Sequence, residues 1–184
     1  EADFCNTGKE GLQKVLVLNP ENISAYSLII EEGTPFYEKY EDHPELLPPE
    51  EEERQMYHDT KRILHEHGYE RYEISNYARA GYACRHNLGY WERKEYKGFG
   101  LGSASLLENR RYTNTCELKQ YLQGRLRGTE EELSEQDIRE ETFFLGLRKM
   151  EGIDPGPYRA HYEKLLEKLC NYCVLCDFNY MFNQ

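Results

Sequence analysis

Long apolar runs are missing from this chain. No stretch reaches the about 20 residues that a membrane helix needs, and nothing resembles a signal peptide. The expected location is therefore cytoplasmic. Positive charge is also short: 23 Lys and Arg stand against 34 Asp and Glu, for a net charge of −11. Such a balance repels phosphate backbones, which excludes nucleic acid as an expected partner. The chain shows no internal repeat, no low-complexity segment, no Walker loop, no Ser/His/Asp arrangement and no paired-carboxylate signature. Tryptophan is reduced to one residue, Trp91. In a cytoplasmic setting the six cysteines read as free thiols or metal ligands more readily than as disulfides.

What remains is a polar, tyrosine-rich globular sequence. Its 184 residues suffice for one ordinary domain or two small ones. Sixteen tyrosines predict amphipathic cover over a modest core. Leu12, Val15, Leu16 and Leu18 keep a helical period that Asn19-Pro20 ends. Ser24 to Ile30 reads as a strand buried on both faces. Pro49 to His67 predicts a long helix, opened by four glutamates at the positive end of its dipole and stopped by Gly68. Tyr72 to Ser75 is the next predicted strand, and strand–helix–strand predicts a parallel βαβ unit. Gly98 to Leu106 follows as a strand, Glu108-Asn109-Arg110 as a turn, and Arg111-Tyr112 as a short return arm. A helix is expected over Cys116–Gln123 or as far as Gly128. The acidic run Glu130–Glu132 reads as a solvated linker. Ser134 is the expected N-cap of a helix to Met150, with Asp137 completing an imperfect capping box. A last helix carries Tyr158, Tyr162, Leu165, Leu166 and Leu169.

The stretch His86-Asn87-Leu88-Gly89-Tyr90-Trp91 concentrates the chemistry. On a helix, His86 and Tyr90 lie four apart on one face, and Asn87 and Trp91 on the next. That is a surface for a flat aromatic ligand with a metal at its centre, because imidazole ligates haem iron and rings pack on a macrocycle. The same spacing also describes a buried helix turn with His86 hydrogen-bonded and Trp91 in the core. The stretch falls just past a predicted strand end, where α/β folds of barrel type keep their working residues. Cys84 is either a second thiolate ligand or an inert small residue. Arg85, Arg93 and Lys94 are either partners for propionates or surface charges. Cys170, Cys173 and Cys176 form C-x2-C-x2-C, whose thiolates either hold zinc or an iron–sulfur cluster or belong to a terminal stretch without a metal. Gly98, Gly100 and Gly102 fit a bulge or a close packing contact. His58, His65 and His67 fall on the polar side of the long helix.

Cys84 to Trp91 resembles the HNxxYW signature of the HemW family, haem chaperones of the radical S-adenosylmethionine superfamily related to oxygen-independent coproporphyrinogen III oxidase. Ile23–Phe36, Tyr72–Ala78 and Gly98–Ser105 resemble further blocks of that family, in the same order. The resemblance runs from about Leu12 to about Pro155. It implies an α/β fold: the last part of a partial (β/α) barrel over residues 1–112, then a small, mainly helical domain over 113–184. It implies haem ligated by His86, with Tyr90 and Trp91 packed on the macrocycle and Asn87 positioning the imidazole. It places Gly98, Gly100 and Gly102 near an adenosylmethionine site. Haem-accepting proteins are the implied partners, with membrane association only through them. The family's cluster motif, C-x3-C-x2-C, does not occur in this sequence, which puts the 4Fe-4S cluster and adenosylmethionine in doubt here. The expectation is a truncated family member that binds haem. The rivals are coproporphyrinogen III oxidase chemistry in porphyrin biosynthesis and an inactive structural fragment.

Overall fold

The computed structural model describes residues 4–153, 156 and 159–170. The chain divides into two compact units, residues 1–84 and 85–184.

The first unit packs two helices on a small antiparallel sheet. Helix α1 is Phe4–Val17 and strand β1 is Asn22–Ser24. The short helix α2, Pro35–Tyr40, is capped by the Thr34 hydroxyl, which accepts from the Tyr37 N–H. Helix α3, Glu50–Glu66, carries the four glutamates in its first turn. It stops as expected at Gly68, whose φ of +81° suits glycine. The Tyr69 N–H donates to the Leu64 carbonyl and the Gly68 N–H to that of His65, closing the last turn. Strands β2, Glu70–Glu73, and β3, Asn76–Ala78, complete the sheet. Ile23, Leu64, Tyr69 and Tyr77 form the core, with Leu12, Leu16 and Ala25 packed against it. The Lys9 ammonium and the Arg62 guanidinium pair with Asp59 at 3.0 Å each, so α1 is also tied to α3 by charge.

Two expectations for this unit need correction. The sheet order is β1-β3-β2, with both pairings antiparallel. Strands β1 and β2 run parallel to one another, but β3 lies between them. The chain reverses at Ile74-Ser75, because the buried Glu73 carboxylate accepts from the Ser75 N–H and the Asn76 amide at 2.6 Å each. Those bonds satisfy a carboxylate that is otherwise costly to bury. The predicted strand over Ser24–Ile30 ends at Ser24. Tyr26, Leu28 and Ile29 are exposed, so this apolar run is not buried on both faces.

The second unit opens with helix α4, Arg85–Trp91. Strands β4, Ala104–Leu107, and β5, Arg110–Asn114, form a hairpin. Its turn residues Glu108 and Asn109 both have positive φ, 50° and 59°, as a type I′ turn requires. The short helix α5, Leu118–Leu122, leads to strand β6, Arg127–Glu132, which pairs with β5. The run Glu130–Glu132 is therefore an edge strand and not a linker. Arg110 reaches Glu130 at 3.4 Å and Arg111 reaches Glu131 at 3.6 Å, and unlike charges across strands favour pairing. Helix α6, Glu135–Gly146, starts in the expected capping box, with Ser134 and Asp137 bonded reciprocally. It ends four residues short of Met150. Helix α7, Arg159–Cys170, follows. Tyr162 is buried, its ring centroid 4.7 Å from that of Phe143 and its hydroxyl donating to the Arg139 carbonyl at 2.6 Å. No helix of the described residues is long and apolar enough to cross a membrane.

Candidate functional site

Helix α4 is one and a half to two turns of chain held by its ending. The Lys94 N–H donates to the Gly89 carbonyl at 2.8 Å and the Arg93 N–H to that of Tyr90 at 3.0 Å. Arg93 takes the left-handed conformation that such an ending demands, φ 52°. An arginine there costs of order 1–2 kcal/mol relative to glycine, and its side chain makes bonds that offset this. Arg93 Nε donates to Glu141 Oε2 at 2.9 Å and Nη1 to Asn109 Oδ1 at 3.1 Å. Arg111 Nη2 donates to the other Glu141 oxygen at 2.5 Å. One carboxylate on α6 thus joins the end of α4 to β5. The bond to Glu141 also holds the Arg111 guanidinium above its ordinary pKa.

The helical spacing brings the rings together. His86 and Tyr90 meet edge to face, centroids 4.7 Å apart at 84°. Tyr90 meets Tyr96 in the same way, at 4.7 Å and 77°. Tyr96 is held beside the sheet by two backbone bonds to Leu106, each 2.9 Å. His86 itself is exposed, which leaves its imidazole open to an incoming ligand. Its ring contact is Tyr90, while Asn87, the adjacent helical position, points elsewhere around the axis. Trp91 is half-buried, and the Arg148 guanidinium covers its ring at 4.3 Å. One face of Trp91 is therefore already occupied. Its indole nitrogen is buried without an acceptor.

Beside this ladder lies a cavity of about 220 Å³. Tyr90, Trp91 and Tyr96 form its aromatic wall, and Arg93, Lys94, Arg111 and Glu141 its polar lining. Arg85 is exposed and takes no part in it. Lys94 forms a close ion pair with Glu92, whose pKa that contact lowers. Sequence reasoning missed Tyr96, Arg111, Glu141 and Arg148. They come from four separate places in the chain, and only the hairpin register and the α6 packing assemble them.

The remaining predicted residues are placed singly. Cys84 is a half-buried free thiol. Gly98 has a local reason to be glycine: a Cβ there would stand 2.1 Å from the Ala104 carbonyl oxygen. Gly100 and Gly102 have positive φ, 105° and 66°. His58, His65 and His67 are exposed, as expected. Cys173 and Cys176 lie outside the described residues, as does the side chain of Cys170. Among the described residues no group of three His, Cys, Asp or Glu could hold a metal ion. They therefore offer no donor set that fits a 4Fe-4S cluster.

No protein-family model matches the sequence. The chain is 36% identical over 167 residues to the heme chaperone HemW of Bacillus subtilis (strain 168), covering 88% of this chain and 44% of that protein. It is 35% identical over 164 residues to the heme chaperone HemW of Lactococcus lactis, again over 88% of this chain, and 43% of that one. Among solved structures it resembles coproporphyrinogen III oxidase (HemN) from Escherichia coli, a radical SAM enzyme. That match has a TM-score of 0.64 at 18% identity and covers 95% of this chain and 44% of the other. The chain thus spans less than half the length of these relatives. By sequence it is a relative of the HemW-type proteins, matching their C-terminal part, and its α/β fold resembles that of the matched part of HemN.

Proposed function

We propose that this chain is the haem-binding C-terminal portion of a HemW-type chaperone, which holds haem for delivery to haem-accepting proteins in the cytoplasm. The observation that carries the reading is His86. It is exposed on a helix anchored at its far end, and its ring meets that of Tyr90 edge to face. An imidazole held this way is a ready axial ligand for haem iron, which here is cargo. Tyr90 limits the rotation of the His86 ring and adds aromatic surface for the macrocycle. Trp91 contributes through the face that Arg148 leaves uncovered. In family terms the barrel portion extends to about residue 112 and the helical domain follows. Gly98, Gly100 and Gly102 would lie near adenosylmethionine only in the longer protein.

Delivery is testable directly. The chain is loaded with haem, separated from excess, and mixed with an apo haem protein while the acceptor's spectrum is followed. The proposal expects transfer faster than from haem bound to serum albumin, a carrier that does not hand its haem to acceptors. Transfer no faster than from that control contradicts the chaperone reading, even if binding itself is confirmed.

A further inference from the structure

Iron ligation by His86 leaves the neighbouring cavity unused. Its charge is uneven at the floor. Two guanidiniums, Arg93 and Arg111, share the single carboxylate of Glu141. Arg93 Nη2 is buried without an acceptor, and such groups ordinarily have one. The other nearby acids are already paired or screened by solvent. Glu92 pairs closely with Lys94, and Lys149, 3.9 Å from it, has a nearer partner in Glu151 at 3.1 Å. Glu131 stands 3.6 Å from Arg111 with its side chain 62% exposed, so solvent screens it. Above this floor the walls are apolar: Tyr90, Tyr96, Leu106 and Leu145. The pocket therefore suits a short aliphatic arm that ends in an anion. Tyr90 contacts the rings of both His86 and Tyr96, so the cavity begins one aromatic ring away from the proposed iron ligand.

We propose that this cavity seats a carboxylate side arm of the bound ligand, a propionate in the case of haem. Arg93 Nη2, Arg111 and Lys94 act as its donors. The inference rests on the haem reading but is separable from it, because it concerns the carboxylate and not the iron. Charge-assisted bonds from a guanidinium and an ammonium recognise a carboxylate more strongly than neutral donors do, and the exposure of Lys94 makes its share the smaller one. The apolar walls take the methylenes of the arm. Through Nε, Arg93 also fixes Glu141, which in turn fixes Arg111.

The test uses iron-free protoporphyrin IX and its dimethyl ester, titrated into the full chain by quenching of Trp91, its only tryptophan. The free acid is expected to bind about tenfold tighter than the ester, the effect of losing one charge-assisted bond. Arg111→Gln should remove most of that preference without changing the ester's affinity. Lys94→Gln, at a side chain 69% exposed, keeps the fold intact and should reduce the preference by several-fold. Equal binding of acid and ester, a preference that survives both substitutions, or no porphyrin binding at all overturns the proposal. A lost preference together with haem ligation that still depends on His86 leaves the haem reading standing.

Discussion

Trp91 is the chain's own reporter. Its ring lies under Arg148 at 4.3 Å, a cation–π contact worth about 0.5–2 kcal/mol. Arg148→Ala should uncover the ring, shift its emission to the red and lower stability by about that amount, as fluorescence during a urea titration would record. An unshifted emission would mean that Arg148 does not cover the ring in solution. Gly98 permits a harsher test. An added Cβ would overlap the Ala104 carbonyl, a backbone atom that cannot turn aside. Gly98→Ala should cost about 1–3 kcal/mol, seen as a fall in the denaturant midpoint, and an unchanged midpoint would show that the two segments separate freely there. At this scale the sequence was partly legible. His86, Tyr90 and Trp91 share a short helix, so their spacing alone predicts which rings can meet. Arg111, Glu141 and Arg148 are isolated charged residues in a chain rich in them. No local pattern separates a cavity-lining arginine from a solvated one.

Elements with strong local signals form where the sequence puts them. Helix α3 has its acidic first turn and its glycine stop, and α6 has its capping box. Ser134→Ala should cost about 1 kcal/mol, measured by chemical denaturation, and no loss would show that the box is redundant. Elements defined by partners were not legible. Strand β3 exists because Glu73 accepts two bonds across a tight reversal, and β6 because Arg110 and Arg111 face its glutamates. Neither feature has a periodicity. The pairing of α1 with α3 predicts an acid-side weakness. Bonds from Lys9 and Arg62 hold the Asp59 pKa down to about 2, below its ordinary 3.8. A lowered folded-state value stabilises the protein above the unfolded pKa, and that contribution disappears as pH falls from about 4 through 2. The partners are substantially exposed, so the contribution is about 1 kcal/mol. Asp59→Asn should lower stability at neutral pH by that much and flatten its decline in acid. An unchanged acid profile would show that the pair contributes nothing.

For the whole molecule, the α/β class and the resemblance to HemW-type proteins both agree with the comparisons, while the sheet connectivity of the first unit does not follow the simple parallel pattern. An apolar strand and a long helix do not reveal that a third strand will come between two others. The chain spans 44% of the B. subtilis relative, so haem binding by this portion is the claim on which the functional account depends. The most direct measurement is a ferric haem titration of the parent and of His86→Ala, followed in the Soret region. The parent should give a saturable, imidazole-ligated spectrum, and Cys84→Ser should leave it unchanged. His86→Ala should lose that spectrum and bind more weakly, with residual affinity from the aromatic surface. If His86→Ala binds with the parent's affinity and the parent's spectrum, His86 is not the iron ligand and the account is wrong.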